Sequence, residues 1–263
     1  MNQKVIEEIL EKYYENGKED KRLIKDKAHQ VEFLTTTRYV DRYLKKGDKI
    51  LEIGAGTGRY SIHYTKKGYE VEAVELTKAN IKVFQKQIED NMKIKIRQAN
   101  ALNLNMYEDN TFDVTLLLGP LYHLFTKEEK EKAIEEAIRV TKPKGKIYLA
   151  YITNDAVIIS YGLQKGNLLK LKDVCEKDFR VKEIPEEIFS VNYVEEFTEM
   201  MEKFSVKLLN QVAVEGITEK LENYINELSE EEYKVWLDYH FATCERKDLI
   251  GYSSHVLYIC QKE

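Results

Sequence analysis

Residues 50–64 read ILEIGAGTGRYSIHY, an apolar run followed by three alternating glycines and then a helical pattern. In an open α/β sheet, ligands bind beyond the carboxyl ends of the strands. Glycine lets the backbone approach a ligand closely there and adopt positive φ. The helix that follows points its N-terminus at the ligand, which favours a carboxylate or phosphate. This stretch therefore predicts a buried strand, a ligand-binding turn and a helix.

The next predicted strand ends at Glu75, where an acidic side chain can accept hydrogen bonds from two ribose hydroxyls. The ligand is therefore predicted to contain a ribose, as NAD and S-adenosylmethionine both do. The dinucleotide fingerprint G-x-G-x-x-G would place its third glycine at position 59. The sequence has Arg59 there and the spacing G-x-G-x-G instead. This difference disfavours a dinucleotide.

The strand and helix patterns alternate on both sides of this turn. Strands are predicted at residues 49–53, 69–75, 93–99, 112–119, 146–152, 205–217 and 255–261. Between the first five, helices are predicted at 57–67, at 77–90 and from the capping box at Thr126 onward. Such alternation indicates βαβ crossovers and a parallel sheet. The predicted fold is α/β, a doubly wound, mostly parallel seven-stranded sheet with helical additions.

Composition excludes several classes of protein. The 263 residues are 43% hydrophobic and 33% charged, as in soluble globular chains. The sequence has no run of 18 apolar residues, and its charged N-terminus does not resemble a signal peptide. The net charge of −5, with both signs intermixed, gives no evident attraction to nucleic acid. We therefore predict neither a membrane nor a nucleic acid as a partner.

The three cysteines, Cys175, Cys244 and Cys260, lie far apart in the chain. This spacing argues against a disulfide framework and against a zinc site. A reducing, cytoplasmic location is the simplest prediction. Histidine and carboxylate pairs with metal-ligand spacing are also lacking in the sequence, so we predict no metal.

The run ILEIGAGTGRYS resembles the first motif of class I S-adenosylmethionine-dependent methyltransferases, which is roughly hhE/D-x-G-x-G-x-G. The resemblance extends over residues 49–152 through Glu75 and three further segments, RQANALNL, FDVTLLLGPLYHL and AIRVTKPKGKIYLAYI. The nearest branches are the small-molecule type 11 and ubiquinone/menaquinone-like enzymes. The resemblance implies a Rossmann-like methyltransferase fold, the cofactor S-adenosylmethionine, the product S-adenosylhomocysteine and a small-molecule acceptor.

The resemblance also implies the cofactor-binding residues. Glu52 would hold the methionine end, directly or through water, and Glu75 would hold the ribose. Asn100 stands where the family usually has Asp, so it keeps an acceptor but loses the charge. The full set is Glu52, Gly54, Ala55, Gly56, Gly58, Glu75, Leu76, Asn100, Ala101, Leu118 and Gly119. As structural alternatives, Glu52 could cap a helix or form an ion pair, and Asn100 could be a turn residue.

Methyl transfer from a sulfonium is an in-line displacement, in which the protein mainly aligns the reactants and excludes water. A general base is needed only when the nucleophile holds its proton. Tyr122 and His123 lie just beyond the fourth strand, where the family places substrate-facing residues. We predict that His123, with Tyr122 beside it, orients or deprotonates the acceptor. The alternatives are a His123 that is bonded to loop backbone and a His29 that closes over the site.

The ends of the chain add helices to the alternating core. We predict an N-terminal helical lid over residues 1–46 and a catalytic domain over 47–263, with insertions at about 153–192 and 218–253. The insertions are rich in aromatic residues, and an aromatic cap would suit an apolar or planar acceptor. Ordinary core packing and a homodimer interface are the alternative explanations.

The segment after the fourth strand, GPLYHL, lacks the N/D-P-P-Y/F/W run of enzymes that methylate base amines, and it has no cysteine nucleophile. A small-molecule acceptor is therefore favoured over DNA or RNA. Two other functions compete with methyl transfer. One is an NAD- or FAD-dependent oxidoreductase, and the other is a non-catalytic protein that binds S-adenosylmethionine or its product, because fold alone does not settle function.

Overall fold

The computed structural model describes residues 3–15, 18–184 and 188–263. Residues 1, 2, 16 and 17 of the predicted lid and residues 185–187 of the predicted insertion lie outside this part. The helices are α1 (Gln3–Tyr14), α2 (Lys27–Tyr43), α3 (Arg59–Lys66), α4 (Lys78–Gln85), α5 (Lys127–Val140), α6 (Asn154–Val157), α7 (Leu171–Val174), α8 (Val194–Met201), α9 (Glu222–Glu227) and α10 (Glu230–Thr243). The strands are β1 (Lys49–Ile53), β2 (Glu70–Glu75), β3 (Ile94–Gln98), β4 (Phe112–Leu117), β5 (Thr141–Ile152), β6 (Val206–Ala213) and β7 (His255–Lys262).

The strands form one seven-stranded sheet in the order β3-β2-β1-β4-β5-β7-β6. β1 to β5 are parallel, and β7 runs antiparallel to both β5 and β6. From β1 the next strands are added on one side of the sheet, and from β4 they are added on the other side. The carboxyl ends of β1 and β4 therefore form the crevice where ligands bind in such folds. The predicted fold class is confirmed.

Residues in the two central strands explain why the sheet is stable. Ile50, Leu51 and Ile53 of β1 are fully buried, as are Leu116 and Leu117 of β4. Continuous apolar runs of this kind bury both faces of a parallel strand, because helices cover the sheet on each side. The central strands therefore provide a rigid base for the turns that follow them.

The boundaries differ from prediction mainly where strand pairing overrides local turn chemistry. The fifth strand is predicted at 146–152, but β5 already begins at Thr141, which pairs with Phe112, and so includes the segment KPKG at 142–145. The register shifts between that pair and the next, Val114 with Lys146, so a bulge absorbs the segment. The described part of the predicted insertion at about 153–192 contains short α, π and 3₁₀ segments.

The two N-terminal helices have different environments. α1 packs through Ile6 and Leu10 against Ile188, at the carboxyl edge of the sheet. α2 buries Tyr39 and Val40 in the main core. A lid over residues 1–46 thus stays a prediction, and α1 is the part of it placed over the ligand crevice. Within the described part of the chain, every helix is too short or too polar to cross a bilayer.

Candidate functional site

A cavity of about 100 Å³ lies at the carboxyl ends of β1, β2 and β4. We name it the turn cavity. It is lined by predicted cofactor residues Gly54, Gly56, Glu75, Leu76, Asn100, Ala101 and Gly119. A smaller cavity of about 60 Å³ continues beneath the turn and is lined by predicted residues Glu52, Ala55 and Leu118. The fold thus brings together all the predicted cofactor residues except Gly58, which lines neither cavity.

At two positions of the turn, a neighbouring side chain leaves no room for a Cβ, so only glycine fits. Gly54 has a φ of +72°, and a Cβ there would lie 2.5 Å from Cδ of Pro120. Gly58 has a φ of +85°, and a Cβ there would lie 2.1 Å from the ring of Phe84. Gly56, with a φ of +54°, lines both cavities and donates its backbone N–H to Oε2 of Glu75. The three glycines therefore serve different purposes in the same turn.

The carboxylate of Glu75 is held at the wall of the turn cavity. Its Oε2 accepts a hydrogen bond from the N–H of Gly56 at 2.8 Å. Its Oε1 accepts from the N–H of Thr77 at 2.9 Å and from the Thr77 hydroxyl at 2.8 Å. These bonds fix the carboxylate at the end of β2 and link it to the glycine turn. Oε1 also accepts a hydrogen bond from the side-chain amide of Asn80 at 3.3 Å. A carboxylate oxygen has about two acceptor positions, so Oε2, which accepts only from Gly56 among the described residues, is the oxygen with capacity left for a ligand hydroxyl.

Glu52 lies deeper and is 2% exposed. Its Oε2 accepts hydrogen bonds from the backbone N–H of Ser61, at 2.9 Å, and from the Ser61 hydroxyl. Burial raises the pKa of Glu52 to about 8, against the effect of these bonds. The structural alternative, a carboxyl that bonds the first turn of α3, is thus present. A contact with the methionine end of a cofactor stays a prediction.

Helix α1 lies across the turn cavity and narrows it. Ile6, Leu10 and Tyr14 line the cavity from above. Glu7 accepts a hydrogen bond from the side-chain amide of Asn100 at 3.1 Å. Ligand pockets for drug-sized molecules measure roughly 300–1,000 Å³, so α1 must shift outward before a nucleoside can enter.

His123 is enclosed at the junction of α1 and the loop after β4. Its Nδ1 lies 2.8 Å from the carbonyl oxygen of Ile188, so Nδ1 carries the proton. Its Nε2 lies 2.9 Å from the hydroxyl oxygen of Tyr14 and accepts a hydrogen bond from that hydroxyl. Burial lowers the pKa of His123 to about 4. The ring is therefore neutral at pH 7, with both nitrogens bonded to protein groups.

This geometry predicts the effect of replacing Tyr14 by phenylalanine. The change leaves the part-buried Nε2 of His123 without its donor, which costs on the order of 1–3 kcal/mol. The lost bond holds α1 in place over the turn cavity. The cofactor should therefore also associate faster with the variant than with the wild-type chain. Urea denaturation and stopped-flow binding of S-adenosylhomocysteine check these effects. Tyr13→Phe is the matched control on the same helix. Equal association rates in the wild-type chain and both variants would show that the bond between Tyr14 and His123 does not hold α1 over the cavity.

A second cavity, of about 560 Å³, lies between α2, the α6 region and the start of β7. We name it the large cavity. Tyr14 and Tyr122 line both the large cavity and the turn cavity. Most of its wall is apolar, with Ile152, Val157, Tyr161, Val181, Ile184, Phe189 and Val191 among its members. Predicted lid residue His29 also lines it, and its Nδ1 lies 2.7 Å from Oδ1 of Asp26.

Charged side chains form one end of the large cavity. Arg22 makes a two-pronged ion pair with Glu32, with one of its bonds at 3.0 Å. Nδ1 of His255 lies 3.1 Å from Oε1 of Glu215 and 3.7 Å from Oε2 of Glu32. We name these four residues the charged cluster. Burial raises the pKa of Glu32, but Arg22 and His255 outweigh it and lower that pKa to about 2.

The pKa of His255 makes the stability of the fold depend on pH. Burial disfavours its charge, yet Glu32 and Glu215 outweigh burial and raise the pKa from 6.5 to about 9. A raised folded-state pKa contributes stability that is complete below pH 6.5 and is lost as pH rises to 9. We therefore expect the free energy of unfolding to fall across this interval in urea titrations. His255→Gln should flatten the fall, and an equal slope in both proteins would contradict the assignment.

One group of possible metal ligands occurs in the described residues, namely Asp26, His29 and Glu222. The ammonium of Lys25 lies 3.6 Å from Asp26 and 3.2 Å from Glu222. Because this cation already pairs with both carboxylates and offsets one of their two negative charges, the attraction of the group to a metal ion is reduced. The absence of a metal stays a prediction.

Residues 51–149 match the model of a family described as "Methyltransferase domain". A demethylmenaquinone methyltransferase of Paenarthrobacter aurescens is 33% identical over 127 residues, which cover 48% of this chain and 47% of that protein. A putative ribosomal RNA large subunit methyltransferase of Methanocaldococcus jannaschii is 33% identical over 124 residues, 43% of this chain and 31% of that protein. The chain thus spans less than half the length of these two curated relatives.

Solved structures share the whole fold. A protein of Thermotoga maritima described as an S-adenosylmethionine-dependent methyltransferase, possible histamine N-methyltransferase, superposes with a TM-score of 0.58 at 19% identity. The match covers 97% of this chain and 99% of that one. Residues 51–149, which match this family model, contain the glycine turn and Glu75, so this part of the chain is similar to a methyltransferase domain.

Proposed function

We propose that the chain transfers a methyl group from S-adenosylmethionine to a small, largely apolar acceptor. The observation that carries this proposal is the position of Tyr122, which borders the turn cavity on one side and the large cavity on the other. A cofactor in the first cavity and an acceptor in the second would meet at this residue. Close placement of two reactants is the main source of rate in a displacement of this kind.

The residues of the turn cavity fit the proposed cofactor. Glu75 offers a fixed carboxylate for ribose hydroxyls, and Leu76 and Ala101 offer apolar contacts for a base. Asn100 would exchange its bond to Glu7 for one to the adenine when α1 moves. When bound, S-adenosylmethionine supplies an electrophilic methyl group on a sulfonium.

His123 was predicted to orient or deprotonate the acceptor, but its geometry supports a different role. Both nitrogens of the ring bond protein groups, and burial lowers the pKa of His123 to about 4, so the ring is poorly suited to take up a proton at neutral pH. We propose that His123 positions α1 and the loop after β4. Tyr122, which contacts the His123 and His255 rings with centroids 4.9 and 5.8 Å away, forms the wall between the two reactants.

Acceptors that hold their proton would need a base elsewhere. His29 is our candidate, because it lines the large cavity and its ring is oriented by Asp26 at 2.7 Å. A carboxylate that orients a histidine is a common arrangement for proton transfer. The protonated His255 is unsuited to that role at neutral pH because its imidazole is already charged.

A small-molecule acceptor is supported over RNA by the form of the large cavity. Its apolar wall and 560 Å³ volume suit a compact molecule. The net charge of −5 gives no general attraction to a polyanion. A cytoplasmic location agrees with the buried, free thiols of Cys175, Cys244 and Cys260. A homodimer stays a prediction.

Calorimetric titration with S-adenosylmethionine, S-adenosylhomocysteine and NAD tests the cofactor. We expect the first two to bind and NAD to give no heat of binding. Binding of NAD in their place would favour the oxidoreductase alternative and overturn the proposal. Methyl transfer is then tested with tritiated S-adenosylmethionine and a library of small acceptors. Tight cofactor binding without transfer to any acceptor would favour a non-catalytic binding protein.

A further inference from the structure

A surface loop of the predicted insertion exposes three leucines. Leu163, Leu168 and Leu169 are 63%, 52% and 83% exposed. Single exposed leucines are normal in a protein, but several on one small surface mark an interaction site. The loop covers residues 162–172, and we name it the leucine loop.

The leucine loop is compact without the help of its exposed leucines. Its backbone closes through the N–H of Asn167, which donates to the carbonyl oxygen of Gly162 at 2.8 Å. Leu171 is 4% exposed and packs against Gly162, where an added Cβ would lie 2.8 Å from Cδ1 of Leu171. Compact loops whose ends are close are frequently functional. Because Leu171 supplies the apolar contact that holds the loop, the three exposed leucines are available to a partner.

The charge of the leucine loop restricts the kind of partner. Residues 156–172 contain three lysines, Lys165, Lys170 and Lys172, and no acidic residue. All three lysines are exposed. The net charge of −5, from which no membrane partner is predicted, does not indicate this local surface, because acidic residues elsewhere outweigh its lysines. A partner that combines apolar groups with negative charge matches the loop.

A bilayer that contains anionic phospholipid has both properties. Peripheral proteins bind such a surface with apolar side chains below the headgroups and lysines among them, and they require no membrane-spanning helix. A second copy of the chain fits poorly, because a symmetric contact between two leucine loops would place lysines against lysines. Nucleic acid would match the lysines, but its phosphate backbone offers the leucines no apolar contact.

We propose that the chain binds the surface of an anionic bilayer through the leucine loop. Residues that lead into the loop, and Lys165 within it, form part of the wall of the large cavity, namely Val157, Ser160, Tyr161 and Lys165. A bound bilayer therefore lies beside a wall of the cavity in which we place the acceptor. An apolar acceptor dissolved in the lipid is then close to its site, a consequence that rests on the proposed function.

Co-sedimentation of the full chain with vesicles tests the proposal. One set of vesicles contains phosphatidylcholine alone, and the other contains phosphatidylcholine and phosphatidylglycerol in equal parts. We expect at least about tenfold stronger binding to the anionic set, because each lysine near such a surface contributes roughly fivefold. Raising NaCl from about 0.1 to about 1 M should weaken this binding, because the Debye length shortens from about 10 to about 3 Å. The assay contains neither cofactor nor acceptor, so its result is independent of the proposed function.

The variant Leu168→Ser with Leu169→Ser tests the apolar contact. It should weaken binding to the anionic vesicles at least about tenfold, because two leucine side chains no longer enter the lipid. Tyr224→Ser with Val235→Ser is the matched control and should bind as the wild-type chain does. These two side chains are 73% and 69% exposed but lie on α9 and α10, among acidic residues. Thermal unfolding of each variant checks that it folds.

The variant Lys170→Gln with Lys172→Gln tests the charge. Loss of both lysines should weaken binding to the anionic vesicles at least about tenfold. Lys45→Gln with Lys46→Gln removes another exposed pair and should have a much smaller effect. This pair of variants and the comparison of the two vesicle sets on the wild-type chain decide the question even where the leucine variant fails to fold.

Absence of binding to the anionic vesicles would overturn the proposal, and an acidic protein surface would then explain the loop better. Equal binding to both sets of vesicles would overturn it as well, because the lysines would have no role. Equal losses in the loop variants and in their controls would show that the chain does not bind the bilayer through the leucine loop.

Discussion

Replacing Glu75 by alanine is expected to weaken the binding of S-adenosylhomocysteine roughly 100-fold. A hydrogen bond from a ribose hydroxyl to Oε2 of the carboxylate would be lost, and a bond to a charged group contributes about 1.5–3 kcal/mol, up to roughly 100-fold in affinity. The Gly56 N–H would also lose its acceptor, which lies at 2.8 Å. The glycine turn should then become less ordered beneath the ligand. Calorimetric titration of the variant measures the change.

The control for this experiment is Glu70→Ala, at the other end of the same strand. Glu70 is exposed and pairs with Lys49 at 3.2 Å, a surface contact of small energetic value. Thermal unfolding of each variant first establishes that β2 still folds, because Glu75 also bonds Thr77. Glu75→Gln keeps the shape of the side chain and should give an intermediate loss. Wild-type affinity in Glu75→Ala would show that the carboxylate does not hold a ribose.

The fold could be predicted because its determinants are local in sequence. An apolar strand, a glycine turn and an amphipathic helix each appear within about ten residues, and their repetition specifies a parallel sheet. The glycine turn and Glu75 then follow, because the carboxyl ends of adjacent parallel strands meet at one edge. β1 pairs with β2 from Lys49 with Glu70 to Ile53 with Val74, so Glu75 and the turn come together.

The charged cluster could not be predicted in the same way. Glu32 and Glu215 are separated by most of the chain, and each looks like an ordinary surface acid in its own segment. His255 was recognised only as the first residue of the last strand, and nothing local signals its pairing with Glu215. Similarly, His123 was predicted from its place after β4, but its bonds to Tyr14 and Ile188 depend on how distant segments pack.

The substitution Gly58→Ala should cause a large loss of stability, about 2–5 kcal/mol. Part of the loss is backbone strain, because an alanine at a φ of +85° costs on the order of 1 kcal/mol. The larger part is steric, because the new Cβ would lie 2.1 Å from the Phe84 ring. That ring is fully buried and cannot move aside without displacing its neighbours. Urea denaturation at constant pH measures the loss.

Gly47→Ala separates the two contributions. Gly47 has a φ of +91°, yet a Cβ there would meet no atom within 4 Å, so only the backbone strain remains. We expect Gly47→Ala to cost about 1 kcal/mol, which leaves the excess in Gly58→Ala as the collision with Phe84. The double variant Gly58→Ala, Phe84→Leu should recover part of that excess, since the shorter side chain vacates the space of the ring. Equal losses for the two glycine variants would mean that α4 can retreat from the turn. The tight packing of Phe84 would then not explain the glycine at position 58.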